Sequence, residues 1–196
     1  MFVYIMIVAI FFALYFVVPQ KYSAIPCVLF VVALAAMSFY VQPNPTDDLA
    51  RYFHMINQIE KGGYEGFREM IETNRFDFGS FPVCGYYFYF ISLFKNPHYL
   101  PFFTILICYG CMILVIQKTA SKFKVDKFYT MLALAFAIST YWYYDVCSGT
   151  RNGIAFTITV ACAYYHLVER KNIVLCFIGY LPVSYTHLTL PTICSV

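Results

Sequence analysis

Two short polar clusters interrupt an otherwise apolar sequence, and they hold the residue types that could do chemistry. The 47–52 cluster reads Asp-Asp-Leu-Ala-Arg-Tyr, and the 148–153 cluster reads Ser-Gly-Thr-Arg-Asn-Gly. The guanidinium of Arg151 offers a fork of donors that fits phosphate oxygens. The backbone N–H groups of Asn152 and Gly153 would add anion affinity if a helix begins there. The second cluster therefore predicts a phosphate clamp.

Both clusters also have a purely structural interpretation. An arginine at the end of a membrane helix can snorkel and anchor that helix at the interface. Asp47 and Asp48 follow Thr46, a predicted helix N-cap, so they would lie in the first turn and complement the helix dipole. Asp47 and Arg51 are also spaced for an i,i+4 ion pair. The sequence alone leaves both interpretations open.

The elements that must position these clusters are predicted to be membrane helices. The hydrophobic fraction is 61% and the charged fraction is 12%, whereas soluble domains have about 45–50% apolar and about 25% charged residues. Each long apolar run is close to the roughly 20 residues that cross a bilayer as a helix. We predict an all-α, polytopic transmembrane helical bundle with six full spans and a partial seventh that begins at Ile173. The six spans are predicted over residues 1–18, 23–41, 78–94, 99–116, 128–144 and 153–167.

One long polar segment, residues 42–79, separates the second and third predicted spans. Its apolar residues follow helical spacing, which predicts an amphipathic helix that ends at Gly62-Gly63. A second short helix is predicted over residues 64–72. The amphipathic helix either lies on the bilayer surface or covers a site and directs the 47–52 cluster, with Asp47, Asp48 and Arg51, at a substrate.

The eight cysteines and the histidines predict neither a metal site nor a cofactor site. Cys108 and Cys111 have the CxxC spacing of redox and zinc sites, but they lie in an apolar run where small apolar residues are expected. The sequence contains no second CxxC pair and no histidine pair that would complete a metal-binding set. The net charge of +3 is small and forms no basic stripe, so we predict no binding to nucleic acid.

The last residues of the chain have a different character from the rest. Residues 183–192 read Val-Ser-Tyr-Thr-His-Leu-Thr-Leu-Pro-Thr, which matches the translation of a transposon-adaptor sequence used in DNA library preparation. We therefore predict that residues 183–196 are a non-native tail. Residues 1–182 are then predicted to be the N-terminal part of one transmembrane domain of a longer protein.

Several short motifs together resemble the EpsG family, bacterial membrane proteins of exopolysaccharide biosynthesis that are similar to Wzy-type polymerases. They are Asp-Asp-x-x-Arg-Tyr at 47–52, Gly-Gly-Tyr-Glu-Gly-Phe at 62–67, and Arg-x-Gly-Ile-Ala at 151–155. The family pattern Arg-Gln-x-Ile-Ala has Asn152 in place of its glutamine here. The family's common Gly-Thr-Asp-Tyr form is Pro-Thr-Asp-Asp at 45–48.

The resemblance implies transfer of a growing glycan from its polyprenyl-diphosphate carrier to another lipid-linked repeat unit. It implies that Arg151 neutralises the leaving lipid diphosphate, and that Asp47 or Asp48 orients or deprotonates the acceptor hydroxyl. No metal or cofactor is required. The residues that would bind substrate are Arg51, Tyr52, Asn152 and Gly153.

The expected partners are the polyprenyl-diphosphate-linked glycan, membrane lipids and other polysaccharide-assembly proteins. The expected location is the bacterial cytoplasmic (inner) membrane, which the chain would cross several times. The alternative function is a transporter or flippase for lipid-linked sugars. A transporter should show internal repeats and broken helices at corresponding positions, and the sequence contains no repeat.

The predicted topology separates the two clusters. The loop 117–127, with four lysines, and the basic loop 169–172 should both be cytoplasmic, which makes Arg151 extracytoplasmic. If every predicted span crosses once, the 47–52 cluster falls on the cytoplasmic side. Either its aspartates are not catalytic, or one run does not cross the membrane. The run 78–94, which contains a proline and a glycine, is the candidate for that irregularity.

Overall fold

A computed structural model of the chain describes residues 2–78 and 82–170, which form helices joined by turns and short loops, with no strand among them. The prediction of an all-α fold is confirmed. The predicted seventh span and the predicted tail lie outside the described residues. The helices of the described part are α1 (Phe2–Val17), α2 (Ala24–Met37), α3 (Asp48–Glu72), α4 (Pro82–Ser92), α5 (Tyr99–Lys122), α6 (Lys127–Thr140), α7 (Tyr143–Ser148) and α8 (Thr150–Leu167).

Fewer helices than predicted have the length and hydropathy of a membrane span. Two segments of the described chain meet both criteria, namely Gln20–Tyr40, which contains α2 and its flanking single turns, and α5. The helices α1 and α6 are apolar but shorter, with 16 and 14 residues. The predicted third span forms only α4, whose 11 residues extend about 16 Å, roughly half of the ~30 Å hydrocarbon thickness. The prediction of six full spans is therefore not met.

The larger hydrophobic core surrounds α5, which packs against α2, α6, α7 and α8, while α1 packs on α2. Leu34, Ile105, Tyr109 and Leu134 are completely buried in this core. The contact between α5 and α8 is close at Gly153, where an added Cβ atom would lie 3.5 Å from the sulfur of Cys108. An added Cβ at this distance would make an ordinary van der Waals contact, so Gly153 lies in the α5–α8 contact without being required there. Its role in substrate binding stays a prediction.

The smaller core lies between α3, α4 and the start of α5. The apolar face of α3 is buried there, whereas its polar face is exposed, so the predicted amphipathic helix is confirmed. Gly63 has φ +59°, a conformation that residues with a Cβ rarely adopt, and it produces a kink. The residues beyond this kink form the predicted second helix as a continuation of α3. The buried residues of the smaller core are Leu49, Tyr52, Met55, Ile56, Ile59, Phe67, Met70, Phe78, Phe88, Ile91 and Leu100.

The connections between helices lie at two opposite ends of the bundle. At one end, which we call the basic end, the Lys127 ammonium donates to the carbonyl of Phe16 at 2.7 Å and to that of Val18 at 2.6 Å. At the other end, which we call the site end, the Tyr143 hydroxyl donates to the carbonyl of Leu34 at 3.0 Å. The helices α1, α2, α5, α6 and α8 each run from one end to the other.

The α3–α4 pair does not run between the two ends. Asp47, which precedes α3, contacts Tyr144 of α7 at the site end. Phe90 of α4 packs against Phe103 in the first turns of α5, with ring centroids 5.7 Å apart. Because both helices remain near the site end, α5 begins at the same end of the bundle at which α2 ends. The two clusters are in contact there, which contradicts the separation that follows from six crossings, and the described part of the 78–94 run forms only the 11-residue α4.

Candidate functional site

The two polar clusters meet at the site end through Arg151 and Tyr52. Arg151 lies in the first turn of α8, and its Nε donates to the Tyr52 hydroxyl at 3.0 Å. The guanidinium carbon of Arg151 also lies 5.6 Å from the centroid of the Tyr52 ring. Tyr52 is buried, and its ring packs on Phe88 of α4 with centroids 5.1 Å apart. The α3–α4 pair therefore fixes the partner that orients the arginine.

The environment of Tyr52 determines whether the hydroxyl beside Arg151 is neutral or ionised. Burial raises the pKa of the Tyr52 hydroxyl above its ordinary value, although the positive charge of Arg151 opposes this shift. The negative charge of Asp48 also contributes to raising this pKa. A neutral hydroxyl accepts a hydrogen bond from the guanidinium without cancelling its charge. The Arg151 guanidinium therefore keeps its positive charge beside a neutral oxygen.

Asp47 joins the start of α3 to α7. Its Oδ2 atom accepts two hydrogen bonds, one from the Tyr144 hydroxyl and one from the side-chain amide of Asn44 at 3.2 Å. The Asn44 amide also lies 3.4 Å from the Tyr144 hydroxyl. Asp47 is the N-cap residue of α3, although no side-chain capping bond forms. The prediction of Thr46 as N-cap is therefore wrong by one residue. The Asp47 side chain does not cap the helix but holds the loop that precedes α3 against α7.

Asp48 occupies a more accessible position than Asp47. It pairs with Arg51 through Nη1 and Oδ1 at 3.0 Å, and the two side chains are 48% and 65% exposed. An exposed ion pair of this kind contributes roughly 0–1 kcal/mol to stability. The predicted i,i+4 pair between Asp47 and Arg51 is replaced by this i,i+3 pair. The Asp48 carboxylate therefore lies at the surface, held by Arg51.

The start of α8 offers fewer anion-binding amides than the sequence predicts. The backbone N–H of Gly153 already donates to the carbonyl of Gly149 at 2.8 Å. It is therefore occupied within the helix, and the prediction that it binds an anion is wrong. Asn152 is exposed beside Arg151 at the helix start. The side chains exposed at this helix start are those of Arg151 and Asn152.

An open cleft adjoins the 47–52 cluster on its exposed side. It has a volume of about 370 Å³ and contains groups suited to a sugar, namely a guanidinium, an imidazole and an aromatic ring. Phe76 adopts φ +58°, which is unusual for a bulky residue. The sequence predicted no role for the histidine or the phenylalanine, because they are distant from each other along the chain. The cleft is lined by Pro45, Ala50, Arg51, His54, Met55 and Phe76.

Metal-binding side chains do not cluster in the part of the chain that the structure describes. No group of three or more His, Cys, Asp or Glu residues there could hold a metal ion. Cys108 and Cys111 are free thiols on α5, and Cys108 is buried in the larger core. The chemical groups at the site end are therefore an arginine and two carboxylates, and they lie beside an open cleft.

The junction between α7 and α8 positions Arg151, and the close backbone contact at this junction requires the glycine at position 149. A Cβ atom on Gly149 would lie 2.9 Å from the carbonyl oxygen of Asp145. We expect Gly149→Ala to destabilise the protein by about 1–3 kcal/mol through this overlap, measured as a lower midpoint of thermal unfolding in detergent. Gly110→Ala on α5 is the control, because nothing lies within 4 Å of its added Cβ. Equal midpoints for the two variants would contradict this role of Gly149.

Comparison of the chain with protein-family models, with curated proteins and with solved structures finds no match.

Proposed function

We propose that this chain is a multi-pass protein of the bacterial cytoplasmic membrane that polymerises polyprenyl-diphosphate-linked oligosaccharides, as its resemblance to the EpsG family implies. The proposal is carried by the contact between Arg151 and Tyr52. That contact joins two of the three motifs of the resemblance, at 47–52 and 151–155, although the two residues are 99 positions apart in the sequence. In this proposal, the cation that binds the diphosphate and the carboxylates that bind the acceptor hydroxyl lie at the same end of the bundle.

The membrane location is supported by the large apolar side chains that the bundle leaves exposed. On α1, Phe2, Phe16 and Val17 are 75%, 70% and 78% exposed. On α2 and α6, Val28 and Phe136 are 60% and 71% exposed. Apolar surface of this extent is costly in water but matches the hydrocarbon of a bilayer. The five helices that run from end to end are the proposed crossings, with the shorter ones accommodated by a locally thinner bilayer.

The orientation follows from the distribution of lysines. Lys21, Lys118, Lys122, Lys124 and Lys127 lie at or near the basic end. By the positive-inside rule this end faces the cytoplasm. The site end then faces the extracytoplasmic side, where lipid-linked glycans are polymerised in the pathway that the resemblance implies. Both polar clusters are on that side in this arrangement.

In the proposed reaction, the donor glycan is attached through its anomeric carbon to a polyprenyl diphosphate. The acceptor hydroxyl attacks this carbon, and the bond between the carbon and the phosphate oxygen breaks with its electron pair retained by the diphosphate. Arg151 stabilises the negative charge that develops on the leaving diphosphate. The acceptor proton passes to Asp48, the more exposed of the two aspartates. The cleft beside Arg51 and His54 holds the acceptor sugar.

The proposal is tested by reconstituting the full-length protein, of which residues 1–182 are the predicted N-terminal part, in liposomes with a polyprenyl-diphosphate-linked repeat unit. We expect a ladder of products that each differ by one repeat unit, together with release of polyprenyl diphosphate. Liposomes that contain the Arg151→Ala variant are the control. Movement of the lipid-linked sugar between leaflets without any ladder would contradict the polymerase proposal and indicate a flippase.

Removal of the Tyr52 hydroxyl tests how Arg151 is positioned. Tyr52→Phe keeps the buried ring and its packing on Phe88, but it removes the oxygen that accepts from Arg151. We expect polymer formation to fall about 10- to 150-fold, because a hydrogen bond to a charged group contributes about 1.5–3 kcal/mol. The control is Tyr64→Phe, since Tyr64 is exposed on the same helix. Unchanged turnover in Tyr52→Phe would show that the hydroxyl does not position the arginine.

A further inference from the structure

A second cleft lies at the basic end, far along the bundle from the candidate site. It has a volume of about 630 Å³ and opens between the α1–α2 connection and the α5–α6 connection. Lys21 and Lys124 line it from opposite connections, and both are exposed. Because two cations from separate segments face one cleft, this end of the protein has the charge arrangement of an anion site.

The inner part of this cleft is polar and ordered by hydrogen bonds. The side-chain amide of Gln117 donates to the Tyr15 hydroxyl at 2.9 Å, and its oxygen accepts from the Ser23 hydroxyl at 3.3 Å. All three residues line the cleft. They come from α5, from α1 and from the start of α2, so the network holds three segments together around a polar cavity. A polar group of a ligand would find donors and acceptors there.

The other charged groups near the cleft already have partners. Lys127 binds the carbonyls at the end of α1, and Lys122 pairs with Glu169 at 3.6 Å. The Asp126 carboxylate, which also lines the cleft, accepts from the backbone N–H of Phe128 at 2.8 Å as the cap of α6. Neither Lys21 nor Lys124 forms an ion pair with a described residue. The two lysines outnumber the Asp126 carboxylate, so the charged groups that line the cleft carry a net charge of +1.

We propose that this cleft binds the phosphate of an anionic phospholipid headgroup. Lys21 and Lys124 would neutralise the phosphate, and the polar inner part would accommodate the headgroup hydroxyls. Exposed Phe16 and Val17 at the end of α1 lie beside this end, where they would contact the acyl chains. A lipid is favoured over a soluble phosphate because the cleft combines cations with adjoining apolar surface. The proposal rests on the membrane placement above but not on glycosyl transfer.

The test measures thermal stabilisation of the purified chain in a neutral detergent by short-chain lipids. Dioctanoyl phosphatidylglycerol is titrated beside dioctanoyl phosphatidylcholine and inorganic phosphate. We expect stabilisation by phosphatidylglycerol alone. In the double variant Lys21→Gln/Lys124→Gln, the phosphatidylglycerol concentration for half-maximal stabilisation should rise about 30-fold, the factor that two lysines at an anionic membrane surface supply.

The matched control is Lys61→Gln/Lys95→Gln, which removes the same charge from exposed positions on α3 and in the α4–α5 connection. It should leave the lipid response unchanged. Equal weakening in both double variants would overturn the proposal in favour of diffuse charge attraction. Equal stabilisation by inorganic phosphate would overturn the lipid assignment, and equal stabilisation by phosphatidylcholine would overturn the role of charge. None of these outcomes depends on polymerase activity, so this proposal and the proposed function fail separately.

Discussion

Replacement of Arg151 by lysine is expected to abolish polymer formation, with turnover lower by about 10²–10³-fold, the cost of removing one well-placed donor to a developing anion. Lysine retains the positive charge but has a single ammonium, which cannot contact two phosphate oxygens in the geometry of a guanidinium. It also lacks the Nε that donates to Tyr52. The substitution therefore tests geometry rather than charge.

The measurement is the length distribution of surface polysaccharide in cells whose own gene is replaced by the variant. Membrane insertion is checked by immunoblotting of the membrane fraction. Arg68→Lys is the matched control, because Arg68 is exposed on α3 and pairs only locally with Glu72 at 2.8 Å. Polymer of normal length in Arg151→Lys would eliminate the phosphate-clamp proposal, whereas normal polymer in Arg68→Lys is expected.

The helices could be predicted from the sequence because their signals are local. The run 99–116 and the amphipathic spacing after Asp48 both gave helices of the expected kind, α5 and α3. The break at Gly63 was also predictable, because glycine tolerates the positive φ found there. Hydropathy averaged over a window does not report helix ends, however. The run 128–144 is divided at Tyr141 and Trp142 into α6 and the short α7.

The number of crossings could not be predicted because it depends on tertiary packing. The run 78–94 is apolar enough to suggest a span, yet several of its apolar residues pack against α3. Phe88 and Ile91 cover the apolar face of α3, which would otherwise be exposed. A helix with one polar face has to bury the other, and α4 supplies the surface that does so. Counting apolar residues cannot distinguish a helix that faces lipid from one that covers a neighbour.

The same packing determines which predicted site residues meet. Arg151 and Tyr52 come together because α4 holds α3 at the site end, and no spacing rule relates residues so distant in the chain. Tyr144 and Asn44, which bind Asp47, were not predicted for the same reason. Gly153 was assigned to the site on motif grounds, and the structure places it in the contact between α8 and Cys108 of α5. A motif identifies such a residue but does not report which neighbouring helix it faces.

The two aspartates of the 47–52 cluster are expected to differ strongly when each is changed to asparagine. Asp48→Asn should lower turnover by about 10²–10⁴-fold, the usual contribution of a general base. Its effect should appear in kcat rather than KM, because the exposed amide can still contact the acceptor. Asp47→Asn should cost less than about tenfold, because an amide oxygen can still accept from the Tyr144 hydroxyl.

The pair forms its own control, since both substitutions make the same chemical change at adjacent positions. The measurement is kcat and KM for chain extension in liposomes, with thermal unfolding of each variant recorded in detergent. The reverse order of effects would identify Asp47 as the base and make Tyr144, its hydrogen-bond donor, part of the proton-transfer path. Small effects for both would instead assign the aspartates to the helix dipole at the start of α3 and leave Arg151 as the main source of rate enhancement.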